Sequence, residues 1–190
     1  NYDTDIFLRK LQDDTGKDIG LLRELIYSTD ITERADKGVI TEQEFYEEVR
    51  QNCGLNLGQQ DFIDAFNQVF TPFEPVHALI RQLKGRYKLG LLSNASEWIF
   101  ESEIRTLDIY PLFDAVTISY QLNRLKPEAR IFHDILDKLD RAPEECVFID
   151  DRPENIEAAN ELGMKGILFK DETKLKSELN RVLGKDGKDS

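Results

Sequence analysis

Residues 147–164 read VFIDDRPENIEAANELGM. A short apolar run ends at the adjacent aspartates Asp150 and Asp151, and Pro153 then opens a segment whose apolar residues recur at helical spacing. Short continuous apolar runs followed by amphipathic helices are typical of parallel strands that are buried on both faces. The stretch therefore predicts one strand–helix unit of an α/β fold.

The same unit recurs through the second half of the chain. Apolar runs lie at residues 87–92, 115–118, 146–149 and 166–169, and an amphipathic segment follows each of them. Right-handed crossovers between such strands give a doubly wound arrangement. We therefore expect a Rossmann-like, doubly wound parallel sheet over residues 73–190.

Residues 1–72 show helical patterns alone. Thr41 and Glu44 have the spacing of a capping box ahead of an amphipathic stretch. Pro72 and Pro75 interrupt the helical pattern, because proline disfavours helix in the residue before it. The sequence thus predicts a separate helical region that ends near residue 72.

Composition limits the partners of the protein. With 190 residues and a net charge of -12, the chain is large enough for a core and a small accessory domain, and it repels nucleic acid and anionic membranes. No apolar run approaches the roughly 20 residues of a membrane span. We expect a cytoplasmic monomer or homodimer, with Cys53 and Cys146 reduced and buried and the polar tail at 184–190 disordered.

Polar residues are expected to converge where the strands end. Ser93 and Asn94 follow the first apolar run, Lys126 precedes the helix after the second, and Asp150 and Asp151 follow the third. Ligands bind at the carboxyl ends of strands in open α/β sheets. Two adjacent carboxylates need a neutralising cation, and Mg²⁺ prefers oxygen ligands. These residue types predict a site for a metal and a phosphate.

Each residue also has a simpler interpretation. The acidic pair could cap the helix that Pro153 opens, although metal binding is favoured. Lys126 taken alone fits a solvated surface residue, while Ser93 and Asn94 fit an N-cap equally well. Trp98 could line the cleft, but packing in the core is the favoured interpretation.

Three stretches carry a family resemblance: LLSNAS (91–96), LKPEARIF (125–132) and VFIDDRPENIEAANELGM (147–164). Together they resemble, in order and spacing, motifs II, III and IV of the haloacid dehalogenase-like hydrolases, with similarity to the sugar-phosphatase branch typified by α-D-glucose-1-phosphatase. The resemblance implies a small α-helical cap domain at 1–72 and an α/β core at 73–190.

The resemblance also implies roles at the phosphate site. Ser93 and the Asn94 amide would hold the transferring phosphoryl group, and Lys126 would stabilise the nucleophile and the developing charge. The sequence departs from the family at Asn123 and Leu125, where relatives often carry Gly and Arg. This departure affects the expected loop shape and the substrate contacts near Lys126.

The acidic pair is assigned to the metal on the same basis. Asp151, with Asp150 beside it, would hold Mg²⁺, and Asp150 would also take part in catalysis next to Lys126. Asn155 matches an asparagine of the family and would orient the pair. The implied reaction is hydrolysis of a small phosphorylated metabolite.

The first family motif, an apolar strand ending in Asp-x-(Asp/Gly), does not occur in the 190 residues. The resemblance implies that this strand carries the nucleophile and lies between the strands that end at Ser93 and Asp150. We expect about ten to twenty further residues upstream of Asn1, a length set by one strand. Without them, the chain is expected to be hydrolytically inert, with two strand edges left unpaired.

Three other functions fit parts of this pattern. A 2-haloacid dehalogenase would use the same aspartate against carbon and need no metal, so the acidic pair argues against it. A pseudoenzyme or interaction module would lack the nucleophile altogether. A receiver domain also combines aspartates, a hydroxyl and a lysine, but its acidic pair comes early in the chain, whereas here it comes last.

Overall fold

The computed structural model describes residues 4–69 and 71–184, so residues 185–190 of the tail that was expected to be disordered lie outside this description. Six helices precede the first strand, and strands then alternate with helices. Within the described ranges, no helix is long and apolar enough to cross a membrane. The helices are α1 (Thr4–Thr15), α2 (Ile19–Tyr27), α3 (Ile31–Asp36), α4 (Glu42–Cys53), α5 (Gln59–Asn67), α6 (Glu74–Leu83), α7 (Glu97–Ile99), α8 (Ser119–Leu122), α9 (Ala129–Leu139), α10 (Pro153–Glu161) and α11 (Glu172–Val182), and the strands are β1 (Gly90–Ser93), β2 (Ala115–Ile118), β3 (Val147–Asp150) and β4 (Lys165–Leu168).

Aromatic side chains hold the first five helices together. Phe7 of α1 packs edge-on against Phe62 and Phe66 of α5, with ring centroids 5.2 and 5.1 Å apart. The predicted capping box is confirmed: the Glu44 N–H donates to Thr41 Oγ1, and the Thr41 N–H donates to the Glu44 carboxylate at 2.8 Å. The cap satisfies backbone donors that the start of α4 would otherwise leave without partners.

The predicted α/β fold class is confirmed, and all four apolar runs form parallel strands. The strand at Ala115–Ile118 has the predicted bounds, and the other three differ from the apolar runs by one to three residues at their ends. The helix after β1 widens into a π-helix at Phe100–Ile104, where the Arg105 N–H bonds five residues back to the Phe100 carbonyl.

The sheet is divided into two halves. Strand β1 pairs with β2, and β3 pairs with β4, but within the described part of the chain no pairing joins β1 to β3. The inner strands are also incompletely covered, since Ile149 of β3 remains 38% exposed between two buried neighbours. The division falls between the strands that end at Ser93 and Asp150, where the family resemblance implies a further strand.

Helix α9 connects the two halves. It packs against both β1 and β2, and its Phe132 ring lies edge-on to Phe148 of β3 at 5.1 Å between centroids. Ile131 and Phe132 of α9 share one apolar cluster with Ile156 of α10. Helix packing thus keeps the ends of β1 and β3 at the same edge of the molecule.

The helices before residue 72 and the strands after it share a core. Ala95, Ile99, Phe100 and Ile118 belong to the same buried cluster as the aromatic residues of α1, α4 and α5. Because this cluster crosses residue 72, the division into a cap at 1–72 and a core at 73–190 stays a prediction. Both cysteines are free; Cys53 is buried as expected, and Cys146 is partly buried.

Candidate active site

Lys126 links the ends of β1 and β3. Its Nζ donates to the Leu92 carbonyl at 3.2 Å and forms an ion pair with Asp150 Oδ2 at 2.6 Å. The two side chains are only 11% and 6% exposed, respectively. The structure thus brings together a lysine and an acidic residue that lie 24 positions apart in the sequence.

The Asp150 carboxylate is saturated by donors from the protein. Besides Lys126, it accepts hydrogen bonds from the Arg152 backbone N–H and from Asn155 Nδ2, both to Oδ1 and both at 2.9 Å. Burial alone would raise the pKa of Asp150, but the Lys126 charge and these three hydrogen bonds lower it below its usual range. Asp150 is therefore ionised at neutral pH, and it holds the ammonium group of Lys126 in position.

Asn94 fixes the loop that carries Lys126. Its Nδ2 donates to the Lys126 carbonyl at 3.2 Å, and the Lys126 N–H donates to its Oδ1 at 2.8 Å. Both polar atoms of the Asn94 side chain are thus bonded to the Lys126 backbone. The backbone amide is the group of Asn94 that remains for binding a phosphate. Ser93 is partly buried, and among the described residues its hydroxyl makes one hydrogen-bond contact, a long one of 3.5 Å to the Asn94 carbonyl.

The loop before Lys126 has a left-handed residue where the sequence departs from the family. Asn123 has φ of 55°, a conformation that asparagine tolerates better than most residues other than glycine. The replacement of glycine by asparagine therefore keeps this backbone conformation accessible. At Leu125, by contrast, an apolar side chain stands where the family resemblance leads us to expect an arginine.

Asp151 differs from Asp150 in its surroundings. It follows the end of β3, and the residue is exposed, so its carboxylate is accessible to a ligand. Among residues 4–69 and 71–184, no group of three acidic, histidine or cysteine side chains is placed to hold a metal ion by itself. An oxygen-only pair nevertheless fits Mg²⁺, which usually takes one or two protein carboxylates and completes its shell with phosphate oxygens and water.

A cavity that the sequence did not suggest lies beside this group of residues. It has a volume of about 340 Å³ and is lined from the helical region by Asp36 and Phe45, and from the segments after β1 and β3 by Ser96, Trp98 and Arg152. Trp98 packs on Phe45, with ring centroids 5.6 Å apart, and also lines the cavity, so both interpretations of this residue hold. Asp36 is one of 37 acidic residues, and no local sequence pattern distinguishes it from the others.

Known proteins of similar length resemble the chain over most of its residues. The D-ribitol-5-phosphate phosphatase of Bacteroides thetaiotaomicron is 27% identical over 167 residues, which cover 83% of this chain and 80% of that protein. The crystal structure of a HAD family enzyme from Bacteroides thetaiotaomicron, in complex with magnesium and inorganic phosphate, has a TM-score of 0.74 at 25% identity, covering 90% of this chain and 88% of that one.

Other curated relatives are much longer. The chain spans 29% of the drimenol cyclase of Aspergillus calidoustus, which is 27% identical over 154 residues, or 78% of this chain. It spans 30% of the bifunctional epoxide hydrolase 2 of Rattus norvegicus, which is 28% identical over 169 residues, or 80% of this chain.

The family model for haloacid dehalogenase-like hydrolases matches residues 30–169. This range includes the end of β1, the Lys126 loop and the acidic pair after β3, which the structure brings to one edge of the sheet. It also covers most of the chain. The chain therefore belongs to the haloacid dehalogenase-like hydrolase family.

Proposed function

We propose that this chain forms the helical cap, residues 1–72, and most of the α/β core, residues 73–190, of a Mg²⁺-dependent phosphomonoester hydrolase. Its substrates would be small phosphorylated metabolites such as sugar phosphates. The observation that carries the proposal is the position of Lys126 Nζ, 2.6 Å from Asp150 Oδ2 and 3.2 Å from the Leu92 carbonyl. This position puts the fixed positive charge of Lys126 at the strand ends, where Ser93 supplies a hydroxyl and Asp151 an exposed carboxylate.

The relatives support the same class of reaction. A phosphatase of a sugar-alcohol phosphate matches most of the chain, and so does an enzyme crystallised with magnesium and inorganic phosphate. A phosphoryl group carries two negative charges, whereas the chain as a whole carries a net charge of -12. Binding therefore needs local positive charge, which Lys126 and a metal ion would supply.

Ser93, Asn94 and Lys126 bind the phosphoryl group in this proposal. The Ser93 hydroxyl and the Asn94 backbone amide donate to its oxygens, and the Lys126 ammonium neutralises charge that develops during transfer. Asp150 acts through Lys126, because an ionised and immobile carboxylate keeps the ammonium from turning away. Asn155 in turn orients Asp150 through its 2.9 Å hydrogen bond.

The nucleophile is proposed to be an aspartate on a further strand, seated between β1 and β3. The unpaired inner edges of these strands and the 38% exposure of Ile149 support a strand at this position. The aspartate would attack phosphorus and displace the alcohol, forming an aspartyl-phosphate. Water would then cleave that intermediate to inorganic phosphate and regenerate the carboxylate.

Asp151 is the carboxylate proposed to hold Mg²⁺ most directly, with Asp150 beside it. Its exposure fits this role, since a carboxylate already saturated by protein donors, as Asp150 is, has less capacity left for a metal. Bound Mg²⁺ would supply Lewis-acid stabilisation of the phosphoryl oxygens. The loss of this carboxylate should therefore affect metal dependence before it affects folding.

The helical region is proposed to cover the site and contact the leaving group. Asp36 and Phe45 from this region line the cavity next to Ser96 and Arg152, which lie close in sequence to Ser93 and Asp151. Covering a phosphoryl-transfer site excludes bulk water and positions the substrate. Selectivity between substrates would then depend on residues of the helical region.

Phosphate release is the direct test. The protein translated together with the codons that precede Asn1 should release phosphate from sugar phosphates when Mg²⁺ is present, and chelation should abolish the activity. Asp151→Asn should lower kcat/KM by about 100-fold or more, beyond the effect of losing an outer-shell partner of a metal site. Glu157→Gln, which alters an exposed carboxylate on α10, is the matched control and should leave kcat/KM unchanged.

Two results would replace the proposal. If the enzyme is indifferent to chelation and releases halide from a 2-haloacid, it is a dehalogenase. If the upstream codons encode no strand that ends in aspartate, the chain is an interaction module. The 190 residues alone should release no phosphate, and turnover by them would contradict the proposed nucleophile.

A further inference from the structure

Asp36 is a carboxylate for which the proposed reaction has no use. It ends α3 and lines the cavity of about 340 Å³ beside the strand ends. Burial raises its pKa to about 7, the nearby Ser96 backbone N–H offsets this only in part, and no charged side chain in the described ranges contributes to the balance. An acidic group that loses water without gaining a cation is costly, unless it becomes protonated or a ligand satisfies it.

The arginines of the cavity are engaged elsewhere. Arg23 forms an ion pair with Asp5 at 2.5 Å, and Arg152 forms one with Glu154 at 2.5 Å. Neither forms an ion pair with Asp36 among the residues that the structure describes. The cavity therefore presents Asp36 as an acceptor that an incoming hydrogen-bond donor could use.

The position of Asp36 is fixed by the α/β part of the chain. The Ser119 hydroxyl, at the end of β2, donates to the Asp36 carbonyl at 2.5 Å and accepts from the Ala95 N–H at 2.9 Å. Just beyond α3, Gly38 has φ of 68°, and a Cβ there would lie 3.0 Å from the Tyr120 carbonyl oxygen. The close approach of Gly38 to Tyr120 leaves the Asp36 backbone little freedom, and the Ser96 backbone N–H acts on the carboxyl group itself.

One wall of the cavity is apolar, because Phe45 and Trp98 pack together there. Polar residues, among them Thr32, line other parts of it. The cavity begins next to the proposed phosphoryl site, since Ser96 lies three residues after Ser93. A phosphate ester bound there would extend its leaving group past the aromatic wall towards the Asp36 carboxyl group.

We propose that Asp36 is a specificity-determining residue that selects phosphate esters whose leaving group carries hydroxyls, by accepting a hydrogen bond from one of them. This inference rests on the proposed function. A polyol or sugar has hydroxyls to donate and carbon atoms to lay against the aromatic wall. An alkyl leaving group satisfies only the wall and leaves Asp36 without a donor, and an anionic leaving group is repelled by it.

The test compares two esters of equal carbon number, erythritol 4-phosphate and butyl phosphate. At pH 8, above the Asp36 pKa of about 7, the active protein should prefer erythritol 4-phosphate in kcat/KM by about tenfold or more, the range expected for a hydrogen bond to a charged group. In Asp36→Ala the ratio should fall to within about threefold of unity. Asp36→Asn should keep part of the preference, because an amide oxygen still accepts from a hydroxyl.

The ratio separates selectivity from folding, because a general loss of active protein lowers both rates equally. Glu33→Ala, an exposed carboxylate on the same helix that pairs with Lys37, is the matched control and should keep the wild-type ratio. A wild-type enzyme without preference, or an Asp36→Ala variant that keeps it, would overturn this inference alone. If the wild type hydrolyses neither these esters nor other phosphates, the proposed function fails and this inference fails with it.

Discussion

Two aspartates near the proposed substrate position have opposite surroundings. At the strand ends, Asp150 is paired with Lys126 at 2.6 Å and receives two further hydrogen bonds, which together lower its pKa. In the cavity, Asp36 is desolvated without a cationic partner, and its pKa rises to about 7. Asp150 is buried and Asp36 is partly buried, so the opposite directions of their pKa shifts come from their partners.

The two aspartates therefore have different roles in the proposed enzyme: Asp150 positions Lys126, and Asp36 recognises the leaving group. A carboxylate whose oxygens are already occupied by donors can orient a lysine but has little left to offer a ligand. A carboxyl that lacks such donors can become satisfied when a ligand supplies them. In the proposed enzyme, the strand ends are therefore preformed for the phosphoryl group. Asp36 gains a donor from the ligand only when the leaving group enters the cavity.

The largest expected effect comes from removing the partner of Asp150. Lys126→Ala leaves a buried charge without compensation, and such changes cost about 3–5 kcal/mol of the free energy of unfolding. Chemical denaturation at pH 7 measures this value. Lys176→Ala, which removes the lysine of an exposed ion pair with Glu172, should cost less than about 1 kcal/mol. Equal losses of unfolding free energy in the two variants would contradict the structural role of the Lys126–Asp150 pair.

A smaller effect of opposite sign is expected at Asp36. Its pKa is raised on folding from 3.8 to about 7, so its contribution to stability is complete below pH 3.8 and is lost as pH rises towards 7. Asp36→Asn cannot ionise and should avoid this loss. The difference in unfolding free energy between variant and wild type should therefore shift in favour of the variant by about 2–4 kcal/mol from pH 4 to pH 8, the upper value being that of the full pKa shift.

Thermal or chemical unfolding of both proteins across this pH range measures that difference. Asp30→Asn is the control, because Asp30 lies in the same segment but its side chain is 70% exposed. Its difference from the wild type should change little with pH. If the Asp36→Asn difference is as flat as that of the control, Asp36 is not desolvated in solution, and the contrast with Asp150 disappears.

The sequence was sufficient for the features that depend on local patterns. The apolar run Ala115–Ile118 and the Thr41–Glu44 capping box could be read directly, because strand burial and helix capping depend on neighbouring residues. Motif order then placed Lys126 and Asp150 at the same edge of a sheet, where the structure has them in contact.

Other features could not be read in this way. Asp36 becomes distinctive only through residues far away in the sequence, such as Ser96 and Ser119, so no local pattern distinguishes it from other acidic residues. The π-helix at Phe100–Ile104 depends on a bond that spans five residues, which periodicity alone does not indicate. The structural use of the Asn94 side chain likewise depends on a loop 32 positions later.

The central claim is that Ser93, Lys126 and Asp151 meet around one phosphate held with Mg²⁺. Calorimetric titration of inorganic phosphate into the protein, with and without Mg²⁺, tests it most directly when the same titrations are repeated with Asp151→Asn. We expect phosphate to bind in the presence of Mg²⁺, and its affinity to fall by about tenfold or more when either the metal or the Asp151 carboxylate is removed. Phosphate binding of equal strength in all four titrations would contradict the account.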